Sequence, residues 1–310
     1  KTFQHFLKPY LGRIIKKTTS DFCITGIDKL DPKKAYLYVS NHRDIAMDPA
    51  FVNWALDRHG FETVRIAIGD NLTKKPYMND LLRLNKSFII SRGVDGTQTE
   101  RRDNKLAISE YIQKSIDDGH SVWIAHRGGR AKDGIDATDP AVLKMLSMAG
   151  KKQGNSFKAS MKKLNLVPIS ISYEFDPCAP LKAKELTIRE ETGTYVKKEG
   201  EDIHSISMGI MGWKGKVNLH FGTPLQTLPE TPQELASVFN SLISQGQRIF
   251  ETQKLADAML KQNTFNIQPP HSQVANKFLS IHKKTPKRHR QKLLEIYANP
   301  LRQLVLHQKP

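Results

Sequence analysis

A short stretch of the chain carries the side chains best suited to acid–base chemistry. His42, Asp44 and Asp48 lie within the sequence YLYVSNHRDIAMDPA, residues 36–50. A neutral imidazole can take a proton from a hydroxyl group. A carboxylate bound to the other ring nitrogen fixes the tautomer and stabilises the imidazolium that forms. The stretch therefore predicts a general base with an acidic partner. Asp48 is preferred because Asp44 lies very near His42 in sequence, but both remain candidates.

The spacing of this pair restricts the backbone that can join it. Asp48 follows His42 by six positions. In an α-helix, at about 100° per residue, side chains six positions apart point about 120° away from each other. An irregular loop has no such restriction, since one residue can bulge outward. We therefore expect a loop here. Asp48 precedes Pro49, so a purely structural role as a helix cap is the alternative.

Four predicted strands end in polar or glycine residues. If the strands are mostly parallel, the groups that follow them meet at one edge of the sheet. Arginine side chains at such an edge could grip a phosphate with two hydrogen bonds, and glycines let the backbone come close to a ligand. The groups are Asn41 with His42, Ser91 with Arg92, Gly128 and Gly129 with Arg130, and Tyr173 with Glu174.

The alternation of apolar runs and amphipathic segments predicts an α/β domain over residues 20–255, with a mixed, largely parallel sheet flanked by helices. Predicted strands cover residues 22–27, 35–39, 64–68, 87–90, 122–125, 166–173 and 217–221. Predicted helices cover residues 49–56, 76–84, 100–118, 140–148, 157–164, 180–190, 202–211 and most of 232–260.

Both ends of the chain are predicted to be basic and helical. Residues 1–19 form an amphipathic helix that either lies on a membrane or docks on the core, with a break near Pro9. Residues 256–310 form a helical basic extension. Nine Lys or Arg and one acidic residue fall within 277–310, and the cluster 283–292 is its centre. This cluster is either a solvated helical surface or a patch for anionic lipid head groups.

Composition narrows the classes of partner. The formal net charge is +17 and the isoelectric point is near 9.7, which favours an anionic partner such as a phosphate, an acidic protein, an anionic membrane or a nucleic acid. Two separated cysteines, Cys23 and Cys178, indicate a reducing compartment and no zinc site or disulfide framework. The sequence has no G-x-S-x-G, P-loop, G-x-G-x-x-G or H-E-x-x-H motif.

Four blocks together resemble the glycerolipid acyltransferase superfamily, whose signature is a His-x4-Asp loop. The blocks are SNHRDIAMDP, LNKSFIISR, WIAHRGGRAKDG and LVPISISYE, and the resemblance covers about residues 35–225. It implies that His42 is the general base and that Asp48 orients it. It also implies that Arg92, Arg130 and Lys132 bind the phosphate of the acceptor beside Gly128 and Gly129, and that Pro168 lines the acyl pocket.

Two positions depart from the family pattern. The first block has five residues between His42 and Asp48 where the family has four. The third block has Arg127 where many members carry a glutamate. These departures keep a second interpretation open, in which the fold has lost its activity and only binds lipid.

The resemblance implies an O-acyltransferase that moves a fatty acyl group from acyl-CoA or acyl carrier protein to glycerol-3-phosphate or a lysophospholipid such as lysophosphatidic acid. The thioester is a co-substrate, and no metal or bound cofactor is implied. We expect a cytoplasmic protein, peripheral on the inner face of an anionic membrane. A basic nucleic-acid-binding protein is the alternative of another class, but no nucleic-acid partner is expected because no recognition motif is present.

Overall fold

A seven-stranded mixed sheet lies at the centre of the chain, in the order β1-β7-β6-β2-β5-β3-β4. The computed structural model describes residues 2–70, 85–90, 97–262 and 272–307. The strands are β1 (Thr19–Thr25), β2 (Leu37–Ser40), β3 (Arg65–Gly69), β4 (Ser87–Ile90), β5 (Val122–Ala125), β6 (Leu166–Tyr173) and β7 (Gly215–Phe221).

Helices cover the sheet and form the C-terminal part of the chain. Those before β6 are α1 (Thr2–Thr18), α2 (Met47–Arg58), α3 (Gln98–Asp117), α4 (Pro140–Leu146), α5 (Met148–Lys152) and α6 (Phe157–Lys162). Those after β6 are α7 (Ala179–Thr192), α8 (Glu201–Met211), α9 (Pro232–Gln245), α10 (Glu251–Gln262), α11 (Gln273–Lys284) and α12 (Arg290–His307).

Strand direction decides which loops meet. Strands β6, β2, β5, β3 and β4 are parallel to one another, whereas β7 runs antiparallel to β6 and β1 pairs parallel with β7. Ser40, the last residue of β2, pairs with Ala125 on one side and with Ile169 on the other. The loops after β2 and β5 therefore leave the sheet side by side. The predicted fold class is confirmed.

Most predicted elements lie within a few residues of the observed ones, and 87–90, 122–125 and 166–173 match residue for residue. The predicted helical segment 232–260 is two helices, α9 and α10. The chain turns at Gly246, where a side chain would come within 2.7 Å of both Ser170 and His220. The predicted helix 76–84 lies outside the described residues.

The predicted break at Pro9 is wrong, because α1 continues through this residue. Pro9 removes one backbone donor from the helix. Packing of the C-terminal half of α1 offsets that loss, since Ile14 and Ile15 are buried in the core and Leu11 packs against it. The helix is thus docked on the sheet. In the described part of the chain, no helix combines the length and apolar character needed to cross a bilayer.

The sheet separates two apolar cores. Tyr36 and Tyr38 point into one, and Leu37 and Val39 point into the other, as alternation along a strand requires. A third cluster joins α7 with α10, α11 and α12 and includes Phe278 and Tyr297. The basic C-terminal segment is therefore helical and buries an apolar face. The division of the chain at residues 19 and 255 remains a prediction.

Candidate functional site

The structure brings His42 and Asp48 together. His42 lies in the irregular loop after β2, and Asp48 is the second residue of α2. The distance from His42 Nδ1 to Asp48 Oδ2 is 2.8 Å. Asp48 is fully buried, whereas a small part of the His42 side chain reaches solvent. An imidazole held in this way can exchange a proton through its other nitrogen, Nε2.

The hydrogen bonds of this loop converge on the Asp48 carboxylate. Its Oδ2 also accepts hydrogen bonds from the backbone N–H groups of Arg43 and Asp44, at 2.6 and 2.9 Å, and its Oδ1 accepts one from the Tyr173 hydroxyl at 2.6 Å. Burial alone would raise the pKa of Asp48, but the hydrogen bonds and the charge of His42 hold that pKa below its ordinary value. Asp48 is thus an ionised acceptor, so His42 Nδ1 carries the proton between them.

The choice between the two acidic candidates is decided by the path of the backbone. Asp44 Oδ1 accepts hydrogen bonds from the backbone N–H groups of Ala46 and Met47, at 3.0 and 2.8 Å, and so binds the backbone that leads into α2. Its side chain packs against Gly209 of α8. Burial and the nearby charge of Asp48 raise the pKa of Asp44. Asp44 therefore binds the backbone at the start of the helix, while Asp48 contacts the imidazole.

A cleft of about 210 Å³ opens beside His42. Trp123 of β5 lies edge-on to the imidazole, with ring centroids 5.7 Å apart. The loop after β5 forms one wall, with Gly128, Gly129 and Arg130. Apolar side chains form another part of the lining: Ile45, Ile68, Ile90, Val142 and Met145. The cleft thus combines a proton acceptor, a cationic wall and an apolar wall.

Two of the cations that line the cleft, Arg130 and Lys132, differ in their contacts. Lys132 forms an ion pair with Glu185 of α7, which also binds Arg189. Partial burial lowers the pKa of Lys132, although Glu185 opposes that shift. Arg130 is half-buried and has no hydrogen bond or ion pair with any residue that the structure describes. Arg130 therefore has donors available for an anion, whereas the charge of Lys132 is already shared.

Other predicted site residues have different surroundings. Gly129 has a φ of 81°, which favours glycine, and no atom of the described residues lies within 4 Å of a Cβ added at Gly128 or Gly129. Pro168 lies inside β6 opposite Val39, packs against Gly222, and is not among the described residues that line the cleft. Arg92 lies outside the described residues.

The sequence predicted Tyr173 at the correct edge of the sheet, but it did not predict which residue the Tyr173 hydroxyl contacts. The bond from its hydroxyl to Asp48 joins positions 125 residues apart. Glu174 turns away and accepts a hydrogen bond from the Lys216 backbone N–H. Trp123 lies in a strand that the sequence marks only as apolar, so its contact with the imidazole was not predicted. Within the described ranges, no three His, Cys, Asp or Glu side chains are grouped closely enough to hold a metal ion.

His126 follows β5 but is fully buried, and its Nδ1 lies 3.1 Å from the Thr138 hydroxyl. Burial lowers its pKa from 6.5 to about 4. Between these values the unfolded chain binds a proton that the folded chain does not, so stability falls as the pH is lowered. We expect the free energy of unfolding to lose about 3 kcal/mol from this residue between pH 6.5 and 4.

Urea unfolding of wild type and His126→Asn across this pH range tests that expectation. The variant is expected to lose less stability on acidification, whatever its stability at pH 7. The exposed His204 provides a control, because His204→Asn should keep the wild-type pH dependence. The expectation fails if His126→Asn and wild type lose stability in parallel.

The chain was compared with known protein families, curated proteins and solved structures. The family model described as Acyltransferase matches residues 21–172. This segment contains the loop of His42 and Asp48, the glycine loop after β5 and nearly all of β6. No curated protein sequence matches the chain. A similar solved structure is the crystal structure of the 1-acyl-sn-glycerophosphate acyltransferase from Thermotoga maritima, with 15% identity and a TM-score of 0.42, covering 78% of this chain and 81% of that one.

Proposed function

Because residues 21–172 place the chain in the acyltransferase family, we propose that it transfers a fatty acyl group from a thioester to a hydroxyl of glycerol-3-phosphate or a lysophospholipid. The observation that carries the proposal is the hydrogen bond between His42 and a buried, ionised Asp48 at the edge of a cleft. The same cleft contains Arg130, whose guanidinium has no partner among the described residues.

The proposed reaction needs one base and no protein nucleophile. Nε2 of His42 takes the proton of the acceptor hydroxyl while the hydroxyl oxygen attacks the thioester carbonyl carbon. The tetrahedral intermediate then collapses, the carbon–sulfur bond breaks, and the leaving thiolate takes the proton back from the imidazolium. Asp48 stabilises the imidazolium between these steps. The products are an ester and a free thiol.

The lining of the cleft supports the class of substrate. A guanidinium can bind a phosphate through two hydrogen bonds, which would hold the acceptor hydroxyl near His42. The apolar side chains of the opposite wall suit an acyl chain. We propose Arg130 as the main phosphate ligand, with Arg92 and Lys132 as further cations, and acyl-CoA or acyl carrier protein as the donor.

The purified chain, an acyl-CoA and a panel of acceptors test the proposal. Release of thiol is followed optically, and lipid products are identified by mass spectrometry. We expect thiol release that depends on an acceptor with both a phosphate and a hydroxyl, with one ester formed per thiol. Thiol release that ignores the acceptor would indicate hydrolysis. Tight lipid binding without any turnover would favour a fold that has lost its activity.

Replacing Arg130 with alanine tests the phosphate assignment. Loss of charge-assisted hydrogen bonds is expected to raise the KM for the phosphorylated acceptor by about 10–100-fold. The kcat should change much less, because the base remains in place. Steady-state kinetics at varied acceptor concentration measures both constants.

Arg127 lines the same cleft and provides a matched control in the same loop. Its guanidinium already donates to the Ile135 carbonyl at 3.4 Å, so Arg127→Ala should change the KM for the acceptor much less. Equal effects of the two substitutions would contradict the assignment to Arg130.

We also propose that the enzyme works at an anionic membrane surface on its cytoplasmic side. Lys283, Lys284 and Lys287 are exposed at the end of α11 and in the turn that follows. Cosedimentation with vesicles of neutral or anionic phospholipid tests this. Binding is expected only with anionic vesicles and should weaken when the three lysines are replaced together by glutamine. Equal binding to both vesicles would exclude an electrostatic contact.

A further inference from the structure

A buried carboxylate behind the His42–Asp48 pair takes no part in the chemistry proposed above. Asp136 follows the glycine loop and is only 4% exposed. Its Oδ2 accepts three hydrogen bonds: from Asn41 Nδ2 at 3.0 Å, from Arg43 Nη2 at 2.6 Å and from Gln247 Nε2 at 2.6 Å. Buried carboxylates are costly unless paired and hydrogen-bonded, so this arrangement requires an explanation.

Two of these donors are the immediate neighbours of His42. Asn41 precedes the imidazole and is also bound to the backbone of Ile171 in β6, through both its amide nitrogen and its amide oxygen. Arg43 follows the imidazole, and its backbone N–H donates to Asp48. One carboxylate oxygen therefore binds the side chains of the residues before and after the base.

Asp136 is itself fixed by a distant helix. Gln303 of α12 accepts a hydrogen bond from the Asp136 backbone N–H at 2.7 Å and donates one to its carbonyl at 2.9 Å. Gln247, in the turn after α9, supplies the third donor to Oδ2. Both glutamines lie beyond residues 21–172, the segment that the family model matches. Gln303 thus binds the backbone of Asp136, Gln247 binds its carboxylate, and Asp136 in turn binds both neighbours of the base.

We propose that Asp136 is a positioning residue for His42, and that Gln303 and Gln247 make the C-terminal helices part of that positioning. The inference rests on the proposed role of His42 as the base. A guanidinium and two amides converging on one oxygen fix the backbone on both sides of the imidazole. The loop can then keep Nε2 aimed at the cleft, where small misplacements of a reacting group are costly.

Gln303→Ala and Asp136→Asn test this proposal. We expect kcat to fall by about 10-fold for the first and about 10²-fold for the second, because the base is misplaced while the substrates still bind. The KM values for donor and acceptor should stay within about twofold of wild type. A smaller folded fraction would also lower the apparent kcat at unchanged KM, so kcat is expressed per folded enzyme, whose fraction is measured by circular dichroism at the assay temperature.

Matched controls lie on the same elements. Gln291 is an exposed residue of α12 that bonds only to Glu295 among the described residues, and Asp133 lies three positions before Asp136. Gln291→Ala and Asp133→Asn should keep the wild-type kcat. If Asp136→Asn does not fold, Gln303→Ala tests the positioning of His42 by itself, because Gln303 is only half-buried.

A spectroscopic readout separates this inference from the proposed function. The proton NMR signal of the His42 Nδ1–H group is identified by its absence in His42→Ala. It should shift or broaden in Gln303→Ala and Asp136→Asn but not in the controls. If wild type transfers no acyl group, the proposed function fails and this signal alone tests the positioning. An unchanged signal, or kcat values within about twofold of wild type, would overturn it.

Discussion

Replacing His42 with alanine is expected to lower the kcat for acyl transfer by about 10²–10⁴-fold, the usual contribution of a general base. The imidazole lines the cleft, and its Nδ1 is bound to a buried carboxylate, which leaves Nε2 to take the hydroxyl proton. His126 cannot substitute, because it is fully buried and bound to Thr138.

Thiol release at saturating donor and acceptor measures this loss. His59→Ala is the matched control, since His59 is an exposed histidine that follows the far end of α2. It should retain wild-type turnover. A melting temperature near that of wild type would show that His42→Ala is folded. Turnover at the wild-type rate in a folded His42→Ala variant would remove the base assignment and the mechanism built on it.

Replacing Asp48 with asparagine is expected to affect both activity and stability. Asparagine has one acceptor oxygen where the aspartate has two, and its amide donors would face groups that are themselves donors. Four hydrogen bonds converge on Asp48, from the His42 imidazole, the Tyr173 hydroxyl and two backbone N–H groups. We expect the free energy of unfolding to fall by about 3–5 kcal/mol and kcat by about 10²–10⁴-fold.

The loss of stability in Asp48→Asn is expected to depend on pH, and its direction follows from the pKa of Asp48. The folded-state pKa of Asp48 is lowered, so its stabilising effect is present above the unfolded pKa of about 4 and is lost as the pH falls through the folded value. The stability difference between wild type and Asp48→Asn should therefore shrink below about pH 4. Urea unfolding at several pH values measures it.

Asp44→Asn is the matched control for Asp48→Asn. Asp44 is also buried, but only its Oδ1 has a described hydrogen-bond partner, and an amide oxygen can accept the same bonds from Ala46 and Met47. This variant is expected to retain most of the activity and stability. If Asp44→Asn were the more harmful change, Asp48 would not be the residue that orients His42.

Local patterns in the sequence determined much of the fold. The strands at 87–90, 122–125 and 166–173 are short apolar runs bounded by polar residues, and such runs are recognisable without tertiary contacts. The order of strands and helices predicted a largely parallel sheet, and parallel strands bring their following loops to one edge. For that reason His42 and the Gly128–Arg130 loop could be placed together from the sequence.

The tertiary structure decided which polar and charged side chains contact each other and which remain available to a ligand. Lys132 is paired with Glu185, fifty-three positions away, so its charge is not wholly available to a ligand. Asp48 rather than Asp44 contacts the imidazole because the loop turns two backbone N–H groups toward it. Asp136 could not be recognised at all, since its partners come from loops and helices at both ends of the chain.

There is a physical reason why the sequence predicts the helices and strands but not the contacts between charged side chains. The preference of a segment for helix or strand depends mostly on its own residues and their periodicity, so it can be read locally. Whether a charged side chain is available to a ligand depends on what fills the space around it, and that is set by strand register and helix packing over the whole chain. The sequence by itself therefore determined the elements and the chemistry available, whereas the folded structure decided which residues are in contact.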